Sequence, residues 1–268
     1  MPYSLTADSA ELPDILARTL IASQKGDREV SGGGWSSTTH WSLILEAGDS
    51  RDSRSKEALE TLCQRYWYPV YAYIRSRGNS RDQAEDLTQG FFAQFLEKGY
   101  IKQASADRGR FRSFLLVAVK NYLANEWDRQ QALKRGGGAK VLSLDFEQAD
   151  GRYSLEPVDT TSPAELYERR WALTQLDRTL DELRKEMRSA GVEQRFERLK
   201  EVLTGDSSGT SYREIAEELE MSESAVKVTV HRMRRRFGEL LRELVGETLD
   251  KPEEVDSEIR YLFASISG

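Results

Sequence analysis

The chain has 268 residues, 38% of them apolar and 31% charged, which is enough to bury a core in one large domain or two modest ones and excludes wholesale disorder. A single cysteine, Cys63, and two histidines, His40 and His231, exclude an intramolecular disulfide and leave too few ligands for a structural zinc site. The net charge of -6 disfavours nucleic acid only on average, because the basic run His231-Arg232-Met233-Arg234-Arg235-Arg236 stands apart from acidic stretches elsewhere.

In chain order, Leu12 to Ile21 reads as a short helix and Ser31 to Gly34 as a flexible joint. Thr38 and Thr39 are helix caps before Trp41, Ile44 and Leu45. A longer helix follows, with Leu59, Leu62, Cys63, Tyr66, Val70 and Ile74 at helical spacing, and Pro69 is expected to kink or restart it. Gly78-Asn79 ends that helix. Ser80 and Gln83 then form a capping box for the next, whose apolar positions are Ala84, Leu87, Phe91, Phe92 and Phe95. After a loop from Gly99 to Gly109, a third helix from Arg110 to Leu133 lines up Phe111, Phe114, Leu115, Ala118, Tyr122 and Trp127 along one side.

From Lys134 to Thr161 the periodicity breaks into glycines and a mostly acidic stretch, which predicts a linker. Ser162-Pro163-Ala164-Glu165 combines a capping box with proline at the first helical position, and Leu166, Leu173, Leu176, Leu180, Leu183 and Met187 repeat behind it. The second helical region continues through Phe196, Leu199, Val202 and Leu203, pauses at Gly205 to Gly209, and resumes at Tyr212. Beyond Pro252, Val255, Ile259, Leu262, Phe263 and Ile266 form an amphipathic stripe that either packs on its own chain or receives a partner helix; packing on its own chain is the expectation. No strand alternation competes anywhere, so the fold class is all-α.

The segment Ser211 to Arg232 has the spacing of a helix-turn-helix. Ile215, Ala216 and Leu219 face inward from its first helix, Met221 plugs the turn, and Val226, Val230 and Met233 recur on the second. The other face of that second helix presents Ser224, Lys227, Val228, His231, Arg232, Arg234 and Arg235, a basic strip suited to phosphates and major-groove base edges, with Tyr212 nearby. At the turn, a position commonly glycine holds Glu220, which costs about 1 kcal/mol if that residue is left-handed.

This block resembles the promoter-binding part of domain four in the extracytoplasmic-function (ECF) sigma factors. The N-terminal half is similar to them as well. Glu85-Asp86-Leu87-Thr88-Gln89 followed by Phe91-Phe92 looks like the family's helix that docks on the clamp helices of the largest polymerase subunit, which implies polymerase binding by Asp86, Gln89 and Glu85. Gly90 departs from the acidic residue usual there, at about 1 kcal/mol of helix propensity relative to Ala. Arg110 to Leu115 and Lys120 to Glu126 resemble the element that reads the minus-ten region and helps strand opening. The resemblance implies base capture by Asn121 and Asn125, one helical turn apart, with Lys120, Arg129 and Arg110 near the DNA backbone and the loop Ala104 to Arg110 as a pocket wall. Phe111, Phe114 and Tyr122 are read as core.

The resemblance covers residues 40–135 and 163–244. It implies an N-terminal extension (1–37), sigma domain two (38–135), a linker (136–161), sigma domain four (162–245) and a C-terminal extension (246–268). The expected partners are core RNA polymerase and promoter DNA, with an anti-sigma factor or other regulator as a further one. The chain is expected to be monomeric when free and to need no cofactor, no metal and no catalytic residue. With no basic and apolar leader and no apolar run longer than Phe114 to Val119, it is expected in the cytoplasm, away from membranes. The competing expectation is a conventional helix-turn-helix regulator that binds operator DNA without polymerase. A recombinase or nuclease would need a catalytic constellation that this sequence does not display: neither histidine has a recognisable Ser, Asp or Cys partner.

Overall fold

The computed structural model describes residues 53–97, 110–132, 146, 162–204, 211–249 and 251–267. The expected helix at Leu12 to Ile21, the joint at Ser31 to Gly34, the caps Thr38 and Thr39, the loop 99–109 and all of the linker but Phe146 lie outside them. Among the described residues the chain is helical and holds no strand.

Helix α1 spans Ser53–Ser76 and buries Cys63, Tyr66, Val70, Tyr71 and Ile74. It runs through Pro69 without interruption, so the restart that the sequence offered as one alternative does not occur. Proline there forfeits one backbone bond, but the residues on either side of it, Tyr68, Val70 and Tyr71, are buried, and tertiary packing carries the helix across. Gly78, at φ 88°, turns the chain out of α1, with its N–H on the Arg75 carbonyl at 3.0 Å and the Asn79 side-chain amide on the Ile74 carbonyl at 2.8 Å.

Helix α2, Arg81–Glu97, starts on the expected capping box: the Ser80 N–H donates to Gln83 Oε1 at 3.0 Å and the Gln83 N–H to Ser80 Oγ at 3.3 Å. Its inner face is Ala84, Thr88, Phe91, Phe92 and Phe95, and the buried Thr88 hydroxyl donates to the Ala84 carbonyl at 2.6 Å. Helix α3, Phe111–Ala132, buries Phe111, Leu115, Val119 and Tyr122, with Phe114 half-buried. Rings knit the three helices together: Tyr66 to Phe111 at 5.1 Å, Phe91 to Tyr122 at 5.6 Å and Phe95 to Phe114 at 6.2 Å between centroids. Trp127 is not on this side; it is 67% exposed. It stands five residues past Tyr122, about 140° round the helix at roughly 100° per residue, so the expected stripe does not reach it.

Helix α4 spans Pro163–Ser189 and opens on its expected capping box, with the Ser162 N–H on Glu165 Oε2 at 2.8 Å and the Glu165 N–H on Ser162 Oγ at 3.3 Å. Four further helices follow: α5 Glu193–Thr204, α6 Tyr212–Glu218, α7 Glu223–Gly246 and, after a 3-10 turn at Pro252–Glu254, α8 Val255–Ser267. The chain divides into two compact units. The first comprises Ser37–Thr174 and Gly246–Glu254, the second Gln175–Val245 and Val255–Gly268.

Helix α4 thus contributes to both. Its buried side keeps only part of the leucine stripe read from the sequence: Leu176 and Leu183 are buried, joined by Tyr167 and Trp171, whereas Leu166, Leu173, Leu180 and Met187 are half-buried. In the first unit the Tyr167 hydroxyl donates to the Arg112 carbonyl at 3.1 Å, and the Arg112 guanidinium meets Glu168 at 2.6 Å and lies 4.4 Å from the Trp171 ring centroid. Phe146 is buried there too, 5.3 Å from the Trp67 ring and 5.5 Å from Tyr71.

The core of the second unit collects Phe196, Leu199, Val202 and Leu203 from α5, Ile215 and Ala216 from α6, and Val226, Val230, Met233, Phe237 and Leu241 from α7. The C-terminal stripe packs within this unit: Val255, Ile259, Leu262 and Phe263 are buried, and Arg242 pairs with Asp256 at 2.8 Å. An arginine ringed by carboxylates also ties the unit together. Arg236 reaches Glu186 of α4 at 2.7 Å, Glu239 at 3.1 Å and Glu243 at 3.3 Å, which lifts its guanidinium above its ordinary range and holds the Glu186 carboxyl below its own. No helix among the described residues is long and apolar enough to cross a membrane.

Candidate nucleic-acid interface

The helix-turn-helix is built by local chemistry at three joints. Ser211 opens α6 with a capping box, its N–H on Glu214 Oε2 at 2.9 Å and its Oγ taking the Glu214 N–H at 3.2 Å. Serine followed three residues later by glutamate is a readable signal at this position, although the expected pattern did not include it. The turn is closed by the Met221 N–H on the Ala216 carbonyl at 2.9 Å, and Glu220 stands at φ 52°, the left-handed conformation that the missing glycine would have taken without strain. Ser222 then caps α7, accepting the Ala225 N–H at 3.2 Å.

From that start, Val226, Val230 and Met233 point α7 into the core and leave the opposite strip to solvent. Ser224, Lys227, Val228, His231, Arg232 and Arg235 are all exposed. Their surroundings differ. Lys227 meets Glu223 at 2.6 Å and lies 5.7 Å from the Tyr212 ring centroid; the carboxylate beside it holds its ammonium above the usual lysine range. The Ser224 hydroxyl is 3.0 Å from that of Ser222, and Arg235 meets Glu239 at 3.2 Å. Arg234 is half-buried and turned inward, donating to the Val202 carbonyl at 2.8 Å. Tyr212 is half-buried at the start of α6. Arg198 of α5 clasps Glu218 of α6 through two nitrogens, so α6 is braced at both ends, and Glu218 is held below its ordinary pKa by that guanidinium.

In the first unit, Asp86 is exposed and Gln89 half-buried on α2, away from the buried Ala84, Thr88 and Phe91. Glu85 meets Arg81 at 2.9 Å one turn back. Asn121 and Asn125 are exposed on α3 and share one groove of about 390 Å³ with Phe91, Phe95, Phe114 and Val117. Lys120 faces a different groove, about 670 Å³, with Arg77, Leu123 and Trp127. The two asparagines are brought together as expected; Lys120 is directed elsewhere on the same helix. Arg110 stands just before α3, its carbonyl accepting the Ser113 N–H at 3.0 Å. The side chain of Arg129 lies outside the described residues. Arg112, between the expected site residues, is buried and holds α4.

Gly90 acquires a reason that the sequence did not suggest. A Cβ at this position would run into the Tyr122 hydroxyl, with the ring carbon behind it 3.6 Å away. The glycine lets α2 and α3 meet directly beneath the asparagine groove.

Among the described residues no group of three His, Cys, Asp or Glu side chains could hold a metal ion. The family model described as ECF sigma factor matches residues 42–243. No curated protein and no solved structure matches the chain.

Proposed function

Since the chain belongs to the ECF sigma factor family, non-enzymatic factors that bind core RNA polymerase and direct promoter-specific initiation, we propose that its two units divide the promoter between them. The observation that carries this reading is the span of the match, residues 42–243, which takes in the greater part of both helical units. Residues 38–135 act as domain two and 162–245 as domain four, with 1–37 and 246–268 as extensions and 136–161 as the connection.

In this reading Asp86, Gln89 and Glu85 dock on the polymerase clamp. Asn121 and Asn125, with their shared groove and the aromatic side chains beside it, take unpaired bases of the minus-ten element. Lys120, Arg110 and Arg129 serve the backbone, as does Arg235. The strip of Ser224, Lys227, Val228, His231 and Arg232, with Tyr212 behind it, enters the major groove of the minus-thirty-five element. Neither module holds enough contacts to select a promoter alone; the polymerase raises the effective concentration of the second contact once the first is made. The free chain is a cytoplasmic monomer open to an anti-sigma factor.

The test is transcription in vitro with core polymerase. Promoter-specific transcripts that require the chain, together with weak binding to free duplex, support the proposal. Tight binding to an operator without polymerase, and no transcript with it, would establish a conventional regulator instead. Arg232→Ala is expected to weaken promoter selection by about tenfold or more. Lys227→Ala should do less, because its ammonium is engaged by Glu223. Asp86→Ala combined with Gln89→Ala should abolish co-purification with polymerase and leave the fold intact.

A further inference from the structure

The outer strip of α7 offers a major groove fewer groups than its sequence implies. The Lys227 ammonium is engaged by Glu223 and Tyr212, the Ser224 hydroxyl lies against Ser222, the Thr229 hydroxyl donates back to the Ala225 carbonyl at 2.8 Å, Arg235 is paired with Glu239, and Arg234 is turned onto Val202. Val228, His231 and Arg232 remain on the exposed side.

Val228 is the anomaly among them. It is 49% exposed in the second turn of a helix, ringed by Ser224, Lys227, His231 and Arg232. A β-branched side chain at an exposed helical position has lower helix propensity than alanine and leaves apolar surface in water, so the fold gains little from valine there, and what marks it is its place in the middle of a polar and basic strip. The floor of the major groove presents one apolar group, the C5 methyl of thymine. Valine offers no hydrogen bond, so a base whose exocyclic amino group faced it would lose a partner, and that loss discriminates as strongly as the contact attracts.

We infer that Val228 is a sequence-reading residue that seats against a thymine C5 methyl in the upstream promoter element, with Arg232, one helical turn on, placed to take the edge of a guanine beside it. This rests on reading α7 as the promoter-recognition helix of a sigma factor.

The experiment uses the full chain bound to core polymerase and a promoter fragment at which that holoenzyme starts transcription. Each thymine of the upstream element is replaced in turn by deoxyuridine, which deletes the methyl and keeps the pairing. Wild-type holoenzyme should lose about fourfold in binding at one position, the worth of one buried methyl. Val228→Ala, which improves helix propensity and so keeps the fold, should bind the thymine promoter about as weakly as wild type binds the deoxyuridine one, and should be indifferent to deoxyuridine at that position alone. Holoenzyme that initiates there but ignores every methyl overturns the assignment, as does Val228→Ala with undiminished sensitivity at the same thymine. A chain that directs no initiation at any promoter overturns the sigma-factor reading itself, and this assignment with it.

Discussion

At Gly90 the ordinary rule for helices is inverted. Glycine inside a helix is usually a loss of about 1 kcal/mol relative to alanine, yet here the missing side chain is the space into which the Tyr122 hydroxyl fits. Gly90→Ala should therefore destabilise the chain by about 1–3 kcal/mol through overpacking. Paired with Tyr122→Phe, which leaves the nearest ring carbon at 3.6 Å, the same alanine should recover its propensity gain. Urea unfolding of the two single variants and the double variant measures this, and a Gly90→Ala chain as stable as wild type would rule out the close fit. Glu220 presents the opposite case, a side chain where none is wanted. With φ at 52°, Glu220→Gly should raise stability by roughly 0.5–1 kcal/mol, less than the full left-handed penalty because glycine also loosens the unfolded chain.

At the scale of elements, the short helices depend most on their ends. Helix α6 has 7 residues, too few to hold without its cap and its brace, so Ser211→Ala should cost about 1 kcal/mol and weaken promoter binding along with the fold. The Arg236 cluster adds a pH dependence with a definite sign. Glu186 is held below its ordinary value of 4.5 by the Arg236 guanidinium, so its contribution is complete above that pH and fades as pH falls through the lower folded value. Wild type and Glu186→Gln should differ in urea midpoint near neutrality and converge in acid; the gap should be small, because both side chains are partly exposed. Much of this scale was legible beforehand. The capping boxes at Ser80 and Ser162 close as their spacing predicts, and Val226, Val230 and Met233 face inward, because caps and helical periods are short-range properties. The unbroken run through Pro69 was not legible, since tertiary packing of the residues around it decides it, whereas the exposure of Trp127 follows from its angle round α3 and could have been read. The same holds within the candidate site: exposure of Asn121 and Asn125 follows from their helix, but the inward turn of Arg234 depends on the Val202 carbonyl 32 residues away.

For the whole molecule, the consequential finding is that Pro163–Thr174 packs with the first unit, although its capping box reads like the start of a second domain. Tyr167 and Trp171 are almost fully buried there, and the Arg112 and Glu168 pair is largely screened from water. An N-terminal fragment ending at residue 174 should accordingly be more stable than one ending at 161, which loses both rings and strands the Arg112 guanidinium. Thermal unfolding of the two fragments compares them directly, and equal melting temperatures would refute the packing. The lone thiol extends the point into kinetics. Cys63 is 2% exposed among the tyrosines of α1, so a thiol reagent can reach it only when that unit opens. Its labelling rate is then a clock for one half of the protein: the proposed docking of polymerase on α2 predicts that it slows, and loosening confined to α7 should leave it unchanged.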